Sequence, residues 1–505
     1  MADKITSIAL AIFFLFSCAG GSLQEKGAIA GVEPIANIYL HENHSESLSI
    51  WKEHDLRNRI LVHFDGHIDM DWIPEVFIKE IQSCRTADDI RRRIAHPYEM
   101  KSGYEGMISI WNFIYPAARL GIIREFYWVV PDGTFNRKNL LEDLRSLLAI
   151  KMHGVTPAEL QVLTLHENRI SGKVLGVPTT ILELDYLPKI REPVLLDIDV
   201  DYFTTDSAID QKVLLDPSLH PDEFIKRIAH KKILTDIVTI SYSSVGGFLP
   251  VSCHHYGDII QERLRNPASK KSKKEFEQEA VDDPILKDAD LHQADAMRGA
   301  GQIDEAKRLY RKYISQHPEG SHRLYAKFRL ATAFADVGPY EQAFRLLGEL
   351  LSESPDIADA RYYLARLYRE SGNLREAIVE LREAVKLDRF NGIYAAELGS
   401  CLLVSGYESE ALEWLQKSLE FKPCNGNAHL TLAFHFARKG DMENAAEELK
   451  SALFVRPWDV DARFQLGTIY FHQKKLKEAR EELEKVLRIA PAHAMARNLL
   501  SKLND

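Results

Sequence analysis

A dense group of acidic residues and one histidine follows an apolar run near the start of the chain. In VHFDGHIDMDW, Asp65, His67 and Asp69 stand two residues apart, directly after the run Ile60–Phe64. Side chains of an extended strand alternate between its two faces, so these three groups can point the same way. Carboxylates crowded beside a hydrophobic core are costly to bury without compensating positive charge. The spacing therefore predicts a cation site.

A second acidic group repeats this arrangement about 130 residues later. In LLDIDVDYF, Asp197, Asp199 and Asp201 are again spaced by two after an apolar run, and the segment HENHS offers His44 as a further imidazole. Either group alone is also what a loop with turn or capping aspartates would look like. Two such groups, each at the end of an apolar run, favour a metal site. Carboxylate oxygens suit hard divalent cations, and imidazole suits transition metals such as iron or zinc.

The elements that would position these residues alternate between strand and helix. The strand-like runs are Ile60–Phe64, Glu125–Val130, Pro193–Leu196 and Ile237–Ile240, and the helical patterns include Pro74–Ser83 and Asn139–Met152. This alternation predicts an α/β sandwich with a mainly parallel sheet. Sites in such folds form at the carboxyl ends of the strands, which is where both acidic groups fall.

Three motifs of this half resemble a known superfamily. The stretch DGHID at 65–69 resembles the DAHxD motif of arginases and agmatinases, with Gly66 in place of alanine. The stretch NHS at 43–45 is similar to their DHS element, and DVD at 199–201 looks like their DxD pair. The segments LVHFDGHIDM, IWNFIYPAARLGIIREFYWVVPD and LLDIDVDYF are closer to an arginase-fold family of largely uncharacterised proteins that includes peptide arginases. The resemblance implies an arginase-like three-layer sandwich over residues 36–260.

The resemblance also implies a ligand set and a reaction. One metal would be held by His44, Asp65, Asp69 and Asp199, and the other by His67, Asp65, Asp199 and Asp201. In related deacetylases the position of Asp197 is acidic and that of Asp201 is histidine, so the set leans towards the arginases. Two manganese ions are then expected, with zinc or iron as alternatives. The implied activity is hydrolysis of a C–N bond other than a peptide bond, with release of urea from arginine side chains of a peptide or protein.

The residues that would bind substrate and move protons are less well marked. His254 and His255, which follow the Gly246-Gly247 turn, are our candidates for a catalytic proton shuttle, chosen from a set that also includes His153. Arginases hold the guanidinium with a carboxylate on a later strand, but residues 240–248 contain no acidic residue. Glu42 or Asp71 could take that role from another direction, and the substrate-binding residues stay open.

The second half of the chain is a repeat. Pro423, Pro457 and Pro491 are 34 residues apart, and Gly372, Gly406 and Gly440 keep the same spacing, with Lys474 in the next corresponding position. A 34-residue period with small residues at fixed places is the tetratricopeptide signature. We expect about six repeats over 287–491, a capping helix over 492–505, and an all-α superhelix whose groove binds a protein or peptide partner.

Composition and charge limit the function classes. A chain of 505 residues with 45% apolar and 27% charged residues is an ordinary multidomain composition. The net charge of −10 argues against nucleic-acid binding. The basic run KKSKK lies in a stretch, 261–286, that we interpret as a polar linker.

The N-terminus has the pattern of an export signal. Ile5–Phe16 is a 12-residue apolar run, which is too short for a membrane-spanning helix and suits a signal-peptide core. The following LFSC resembles the bacterial lipobox. The resemblance implies a signal peptide over 1–17, lipidation of Cys18, and an exported protein that is lipid-anchored on the periplasmic or cell-surface side.

Three readings of the whole chain remain at this point. The first is a binuclear metallohydrolase whose repeats recruit a protein or peptide. The second is a non-catalytic repeat scaffold with a degenerate arginase-like domain, and the third is a deacetylase-like enzyme with a single zinc. Two bound metal ions, none, or one zinc would separate them.

Overall fold

A computed structural model describes residues 35–95, 108–215, 217, 219–242, 249–280 and 288–503. The predicted signal peptide over 1–17 and the lipidation site Cys18 lie outside these residues. Within the described part of the chain, no helix is both long enough and apolar enough to cross a membrane.

The first half is built on one sheet. Its described strands are β1 (Asn37–His41), β2 (Arg59–Phe64), β3 (Ile123–Val130), β4 (Thr164–His166), β5 (Arg169–Val174), β6 (Val177–Glu183), β7 (Val194–Asp199) and β8 (Thr235–Ser241). Their order across the sheet is β1-β8-β7-β2-β3-β6-β5-β4. All neighbours from β1 to β6 are parallel, and β5 and β4 add an antiparallel edge. The prediction of a mainly parallel sheet is confirmed.

Hydrophobic cores on both faces of the sheet make it the middle of three layers. Along β2, Leu61 belongs to one core, whereas Val62 and Phe64 belong to the other, as the alternation of strand side chains requires. The described helices of this half are α1 (Glu46–Glu53), α2 (Glu75–Ser83), α3 (Ala87–Arg91), α4 (Ile114–Arg119), α5 (Leu140–Lys151), α6 (Pro157–Gln161), α7 (Pro221–Lys231) and α8 (Tyr256–Arg265). α1, α2 and α5 pack in the first core, and α7 and α8 pack in the second.

The stretch predicted as a polar linker, 261–286, is partly helical. It contains the end of α8 and a further helix, α9 (Lys273–Ala280). Phe276 of α9 is buried, with Lys271 Nζ 4.2 Å from its ring centre and Arg263 also against it. The aromatic side chain therefore ties this basic stretch to α8 instead of leaving it fully solvated.

The second half is entirely helical in its described residues. It comprises α10 (Ala289–Gly299), α11 (Ile303–Gln316), α12 (Ser321–Val337), α13 (Tyr340–Glu353), α14 (Ala358–Glu370), α15 (Leu374–Leu387), α16 (Gly392–Val404), α17 (Glu408–Phe421), α18 (Gly426–Arg438), α19 (Met442–Val455), α20 (Val460–His472), α21 (Leu476–Ile489) and α22 (Ala494–Ser501). From α10 to α21 the described helices form six consecutive pairs, as expected for tetratricopeptide repeats. The predicted fold class, α/β followed by an all-α superhelix, is confirmed.

Small residues allow the two helices of a repeat to approach closely. A Cβ added to Gly399 would lie 2.8 Å from Leu415 Cγ, and one added to Gly467 would lie 3.2 Å from Leu483 Cγ. The turn between paired helices needs a left-handed residue, and Gly372, Gly406 and Gly440 have φ of 80°, 88° and 81°. These positions account for the 34-residue pattern in the sequence.

Candidate metal centre

The two acidic groups meet because their strands are neighbours. β2 and β7 run parallel with Phe64 opposite Ile198, so Asp65 and Asp199 follow at the same edge of the sheet. His44 reaches this edge from the turn between β1 and α1. Asn43 shapes that turn, since its Oδ1 accepts a hydrogen bond from Ser45 N at 3.1 Å. This is the carboxyl edge at which the sequence predicted a site.

One group of potential ligands consists of His44, Asp65, Asp69 and Asp199. Each offers one atom, and these atoms all lie within 4.8 Å of one another. His44 Nδ1 is 3.0 Å from Asp69 Oδ2, 2.9 Å from Asp199 Oδ2 and 3.6 Å from Asp65 Oδ2. All four residues are buried. The structure thus brings together the four residues that the resemblance assigned to the first metal.

A second group shares Asp65 with the first and adds His67 and Asp201. His67 Nδ1 lies 2.9 Å from Asp201 Oδ2 and 3.5 Å from Asp65 Oδ1. Asp199, which the resemblance placed here as well, is not in this group, and its Oδ1 accepts a hydrogen bond from Asp201 N at 3.0 Å. Asp65 is therefore the residue that joins the two groups.

Asp197 supports the ligands from behind. Its Oδ2 lies 2.7 Å from both His44 Nε2 and His63 Nδ1, and its Oδ1 accepts hydrogen bonds from Ser47 Oγ at 2.9 Å and from Thr239 Oγ1. A carboxylate behind a ligating imidazole fixes the tautomer and orients the ring. With Nε2 of His44 directed at Asp197, Nδ1 is left to face Asp65, Asp69 and Asp199.

Sequence reasoning missed His63. This buried histidine lies on β2, with Nε2 3.0 Å from Asp65 Oδ2, and it forms a third potential group with His44 and Asp65. It stands two residues before Asp65, so the same alternation that linked Asp65 to His67 could have found it. It was overlooked because it lies inside the apolar run.

The charge balance of the centre favours a cation. Burial, together with the charges of Asp201, Asp69 and Asp199, raises the pKa of Asp65 well above its usual value. Burial alone would lower the pKa of His44, but Asp197 and Asp199 outweigh it and raise that pKa well above the usual value. Asp65 Oδ2 is buried and accepts no hydrogen bond from any residue in the described ranges. Three further aspartates therefore crowd a buried carboxylate whose nearest basic atom is His63 Nε2, 3.0 Å from Oδ2, and a bound cation would relieve their mutual repulsion.

The spacing of the donor atoms also fits a metal ion. Ligands about 2.1 Å from an ion in octahedral geometry lie about 3 Å from their neighbours. The 2.9, 3.0 and 3.6 Å separations around His44 Nδ1 are of this size. Carboxylates with imidazole suit manganese, iron or zinc. These residues therefore fit the pair of metal ions that the resemblance to arginases implies.

Two backbone features belong to the centre. Asp69 has φ of 46°, a left-handed conformation that costs energy in a non-glycine residue and is common at functional sites. A Cβ on Gly66 would lie 2.6 to 2.8 Å from three atoms of the Thr205 side chain. Thr205 thus explains why this chain has glycine where the arginase motif has alanine.

Each of the two predicted proton shuttles packs against an aromatic ring. The ring of His254 stacks on Tyr242 at 4.1 Å. His255 is buried against Tyr256, and burial, with a smaller effect from Lys273, lowers its pKa to about 4. Neither histidine is among the described groups that could hold a metal. Their role in proton transfer stays a prediction.

Asp71, one of the two residues suggested for guanidinium binding, is already engaged. Its Oδ2 lies 2.9 Å from His153 Nδ1, and its Oδ1 accepts a hydrogen bond from Trp72 N at 2.8 Å.

An exposed aromatic side chain lies beside the ligands. Trp111 is 45% exposed and its ring lies 6.0 Å from that of His67. An exposed aromatic face beside the ligands can contact a cationic substrate.

Comparisons with known proteins concern the repeats. Residues 260–500, just under half of the chain, match the family described as the C-terminal domain of cilia and flagella-associated protein 70. No curated protein matches the chain. The family match begins after Asp201, the last of the proposed ligands, and does not include the metal centre.

Several solved structures match parts of the chain at low identity. A chain of the APC/C hetero-tetramer Cut9–Hcn1 is 19% identical over 45% of each chain, with a TM-score of 0.40, so the match spans less than half of that chain. YrrB, described as a TPR protein with an unusual peptide-binding site, is 22% identical over 37% of this chain and 96% of its own, with a TM-score of 0.30. A thermophilic TPR protein from Thermus thermophilus is 23% identical over 36% of this chain and 98% of its own, also at 0.30.

Proposed function

We propose that the α/β half is a binuclear metal-dependent hydrolase that acts on a C–N bond, with arginine side chains of a peptide or protein as its substrate class and urea as product. The observation that carries the proposal is the position of Asp65 in the site. This residue is fully buried, belongs to both main ligand groups, and has an oxygen that accepts no hydrogen bond from the described residues. Manganese is the metal we favour, following the arginase resemblance of the motifs.

Each ligand would have a defined task. His44, Asp65, Asp69 and Asp199 would hold one ion, and Asp65, His67 and Asp201 would hold the other. Two divalent ions held by these residues would supply Lewis acidity and a nucleophilic water near neutral pH. Asp197 would keep the His44 ring aligned through its 2.7 Å contact with Nε2.

The repeats supply the binding function. Tetratricopeptide arrays are protein-interaction scaffolds with an extended concave surface. In this chain we propose that the array recruits the peptide or protein on which the metal centre acts. The exposed face of Trp111 beside His67 would then meet the cationic side chain.

The first test is metal content. We expect about two manganese ions per chain in protein prepared without chelator, and loss of metal in Asp199→Ala. Asp88→Ala, which changes an aspartate with a 70% exposed side chain, is the matched control and should keep its metal. Absence of metal from the wild type after addition of manganese would leave the scaffold reading, and a single zinc would favour a deacetylase-like enzyme.

The second test is the reaction. Arginine-containing peptides incubated with the manganese-loaded protein should release urea and gain ornithine, as read by mass spectrometry. Peptides with lysine in place of arginine serve as the control. Metal-loaded protein that leaves every arginine peptide unchanged would remove the arginase-like activity while keeping the metal centre.

We also propose that the protein is exported and lipid-anchored through Cys18. The support is the sequence pattern alone, an apolar run of 12 residues followed by LFSC. In a bacterial host, Cys18→Ala should move the protein from the membrane fraction to the soluble fraction. Equal membrane association of both forms would contradict this part of the proposal.

A further inference from the structure

The repeat array packs directly against the α/β half. Cys424 and Val455, which follow or end helices of the array, belong to the same hydrophobic core as Leu148 of α5. The Phe390 ring, between α15 and α16, lies 5.7 Å from that of Phe77 on α2. The two halves therefore share a core.

Lys422 is the polar centre of this contact. It follows α17 and is only 4% exposed, and its Nζ donates a hydrogen bond to Met152 O at 2.8 Å. Next to it, Phe421 O accepts a hydrogen bond from Gly154 N at 3.0 Å. Two adjacent residues of the array thus hold both sides of the turn around His153. Burying an ammonium group is costly unless it is hydrogen-bonded, so the bond to Met152 O is needed to keep Lys422 in this position.

The turn held by Lys422 is tightly built. Gly154 has φ of 66°, and a Cβ added there would lie 2.4 Å from Trp72 Cγ. His153 donates its backbone N–H to Asp71 Oδ1 and places Nδ1 2.9 Å from Asp71 Oδ2. Displacing the turn therefore displaces the chain around Asp71 and Trp72.

Asp71 leads directly to the proposed metal ligands. It stands two residues after Asp69, whose left-handed φ of 46° needs support from its surroundings. The backbone N–H of Asp71 donates to Trp111 O at 2.9 Å, and the Trp111 ring contacts that of His67. A continuous set of contacts thus runs from the fourth repeat to one residue of each ligand group.

We propose that the repeat array is a structural part of the metal centre, with Lys422 as a positioning residue that fixes the loop carrying Asp69 through Met152, His153 and Asp71. The inference rests on the proposed function for the presence of metal. The positioning of the loop by Lys422 applies to the metal-free protein as well.

Substitution of Lys422 separates positioning from stability. Lys422→Met keeps an unbranched side chain that is one atom shorter, and replacing a buried charge by an apolar group of similar volume is often neutral for folding. Lys422→Arg keeps the charge and a donor. The control is Lys386→Met, which changes a lysine of the preceding repeat whose side chain is 67% exposed.

The first readout is amide hydrogen exchange of the full-length, metal-free protein. Lys422→Met should speed exchange at Asp71, Trp72 and Gly154 about three- to tenfold, while α12 to α15 keep wild-type rates. Lys422→Arg should restore part of the protection, and Lys386→Met should match the wild type. Wild-type exchange at Asp71 and Trp72 in Lys422→Met would overturn the inference.

The second readout is manganese affinity, measured from the electron paramagnetic resonance signal of free Mn²⁺. Lys422→Met should bind manganese about three- to tenfold more weakly than the wild type, with partial recovery in Lys422→Arg. Wild-type affinity in Lys422→Met would contradict the link to the ligands. A wild type that binds no manganese would defeat the proposed function, whereas the exchange experiment would still decide the positioning role.

Discussion

Two fully buried carboxylates, one in each half of the molecule, have opposite surroundings. Asp295 of α10 accepts hydrogen bonds from Tyr325 Oη at 2.9 Å, from Arg329 Nε at 2.8 Å and from Tyr310 Oη. Asp65 instead faces further carboxylates, and its Oδ2 accepts no hydrogen bond from the described residues. A carboxylate whose charge is matched by hydrogen-bond donors is structural, whereas one surrounded by further carboxylates is a candidate ligand for a cation.

The largest expected effect is the loss of metal on changing Asp65. Asp65→Asn keeps the size of the side chain and removes the charge shared by both ligand groups, so manganese should bind at least about 100-fold more weakly. Without metal the same change should raise the melting temperature, because the neighbouring carboxylates repel the wild-type charge. Manganese titration and melting in the presence of a chelator measure the two effects. A lower melting temperature for metal-free Asp65→Asn would mean that Asp65, like Asp295, is a structural carboxylate.

Asp295 should give the opposite result. Asp295→Asn removes the charge that Arg329 and two tyrosine hydroxyls require, so it should cost about 3–5 kcal/mol in the free energy of unfolding of the first repeats. Urea unfolding, together with hydrogen exchange over α10 to α12, measures this loss. Manganese binding should be unchanged. Asp304→Asn, at a fully exposed aspartate, is the control and should leave stability within about 0.5 kcal/mol.

The sequence predicted the periodic half in more detail than the centre. Six helical pairs follow from the 34-residue spacing, because each repeat folds mainly from local contacts. The two acidic groups were also visible, since strand alternation is local. His63 and Asp197 lie 134 residues apart, and Lys422 and Met152 lie 270 apart. Such pairs depend on strand order and on how the halves dock, and no local pattern in the sequence encodes them.

A smaller effect concerns His255, which lies in the α/β half but outside the ligand groups. Burial, with Lys273 and His220 acting in the same direction and Glu277 opposing them, lowers its pKa from 6.5 to about 4. The folded state therefore keeps the ring neutral, whereas the unfolded chain takes up a proton below about pH 6.5. Stability should fall by up to about 3 kcal/mol as the pH drops from about 6.5 to 4.

His255→Gln should remove this part of the pH dependence. Unfolding free energies of the metal-free protein between pH 7.5 and about 4 would show a shallower slope for the variant than for the wild type. His166→Gln, at an exposed histidine, is the control and should follow the wild-type curve. Identical slopes for His255→Gln and the wild type would mean that the ring has the same pKa in the folded and unfolded states.

The smallest effect compares two non-glycine residues with left-handed backbones. Lys474 has φ of 60° at the turn where Gly372, Gly406 and Gly440 occur in other repeats, and Asp69 has φ of 46° in the metal centre. A left-handed residue with a Cβ costs about 1–2 kcal/mol. Glycine removes this strain, but its greater conformational freedom in the unfolded chain offsets part of the gain. Lys474→Gly should therefore stabilise the last repeats by about 0.5–1 kcal/mol, as measured by hydrogen exchange over α20 and α21.

Asp69→Gly relieves the same kind of strain but should have a different consequence. The metal-free protein should become slightly more stable, because both strain and a like charge are removed, while manganese affinity falls with the loss of a ligand. Lys474→Gly should change no binding property. If both variants gained stability and kept manganese affinity, the left-handed turn at Asp69 would be a feature of the fold alone. Loss of manganese affinity in Asp69→Gly, with unchanged affinity in Lys474→Gly, would show that the chain retains this strain because the carboxylate of Asp69 is needed at the centre.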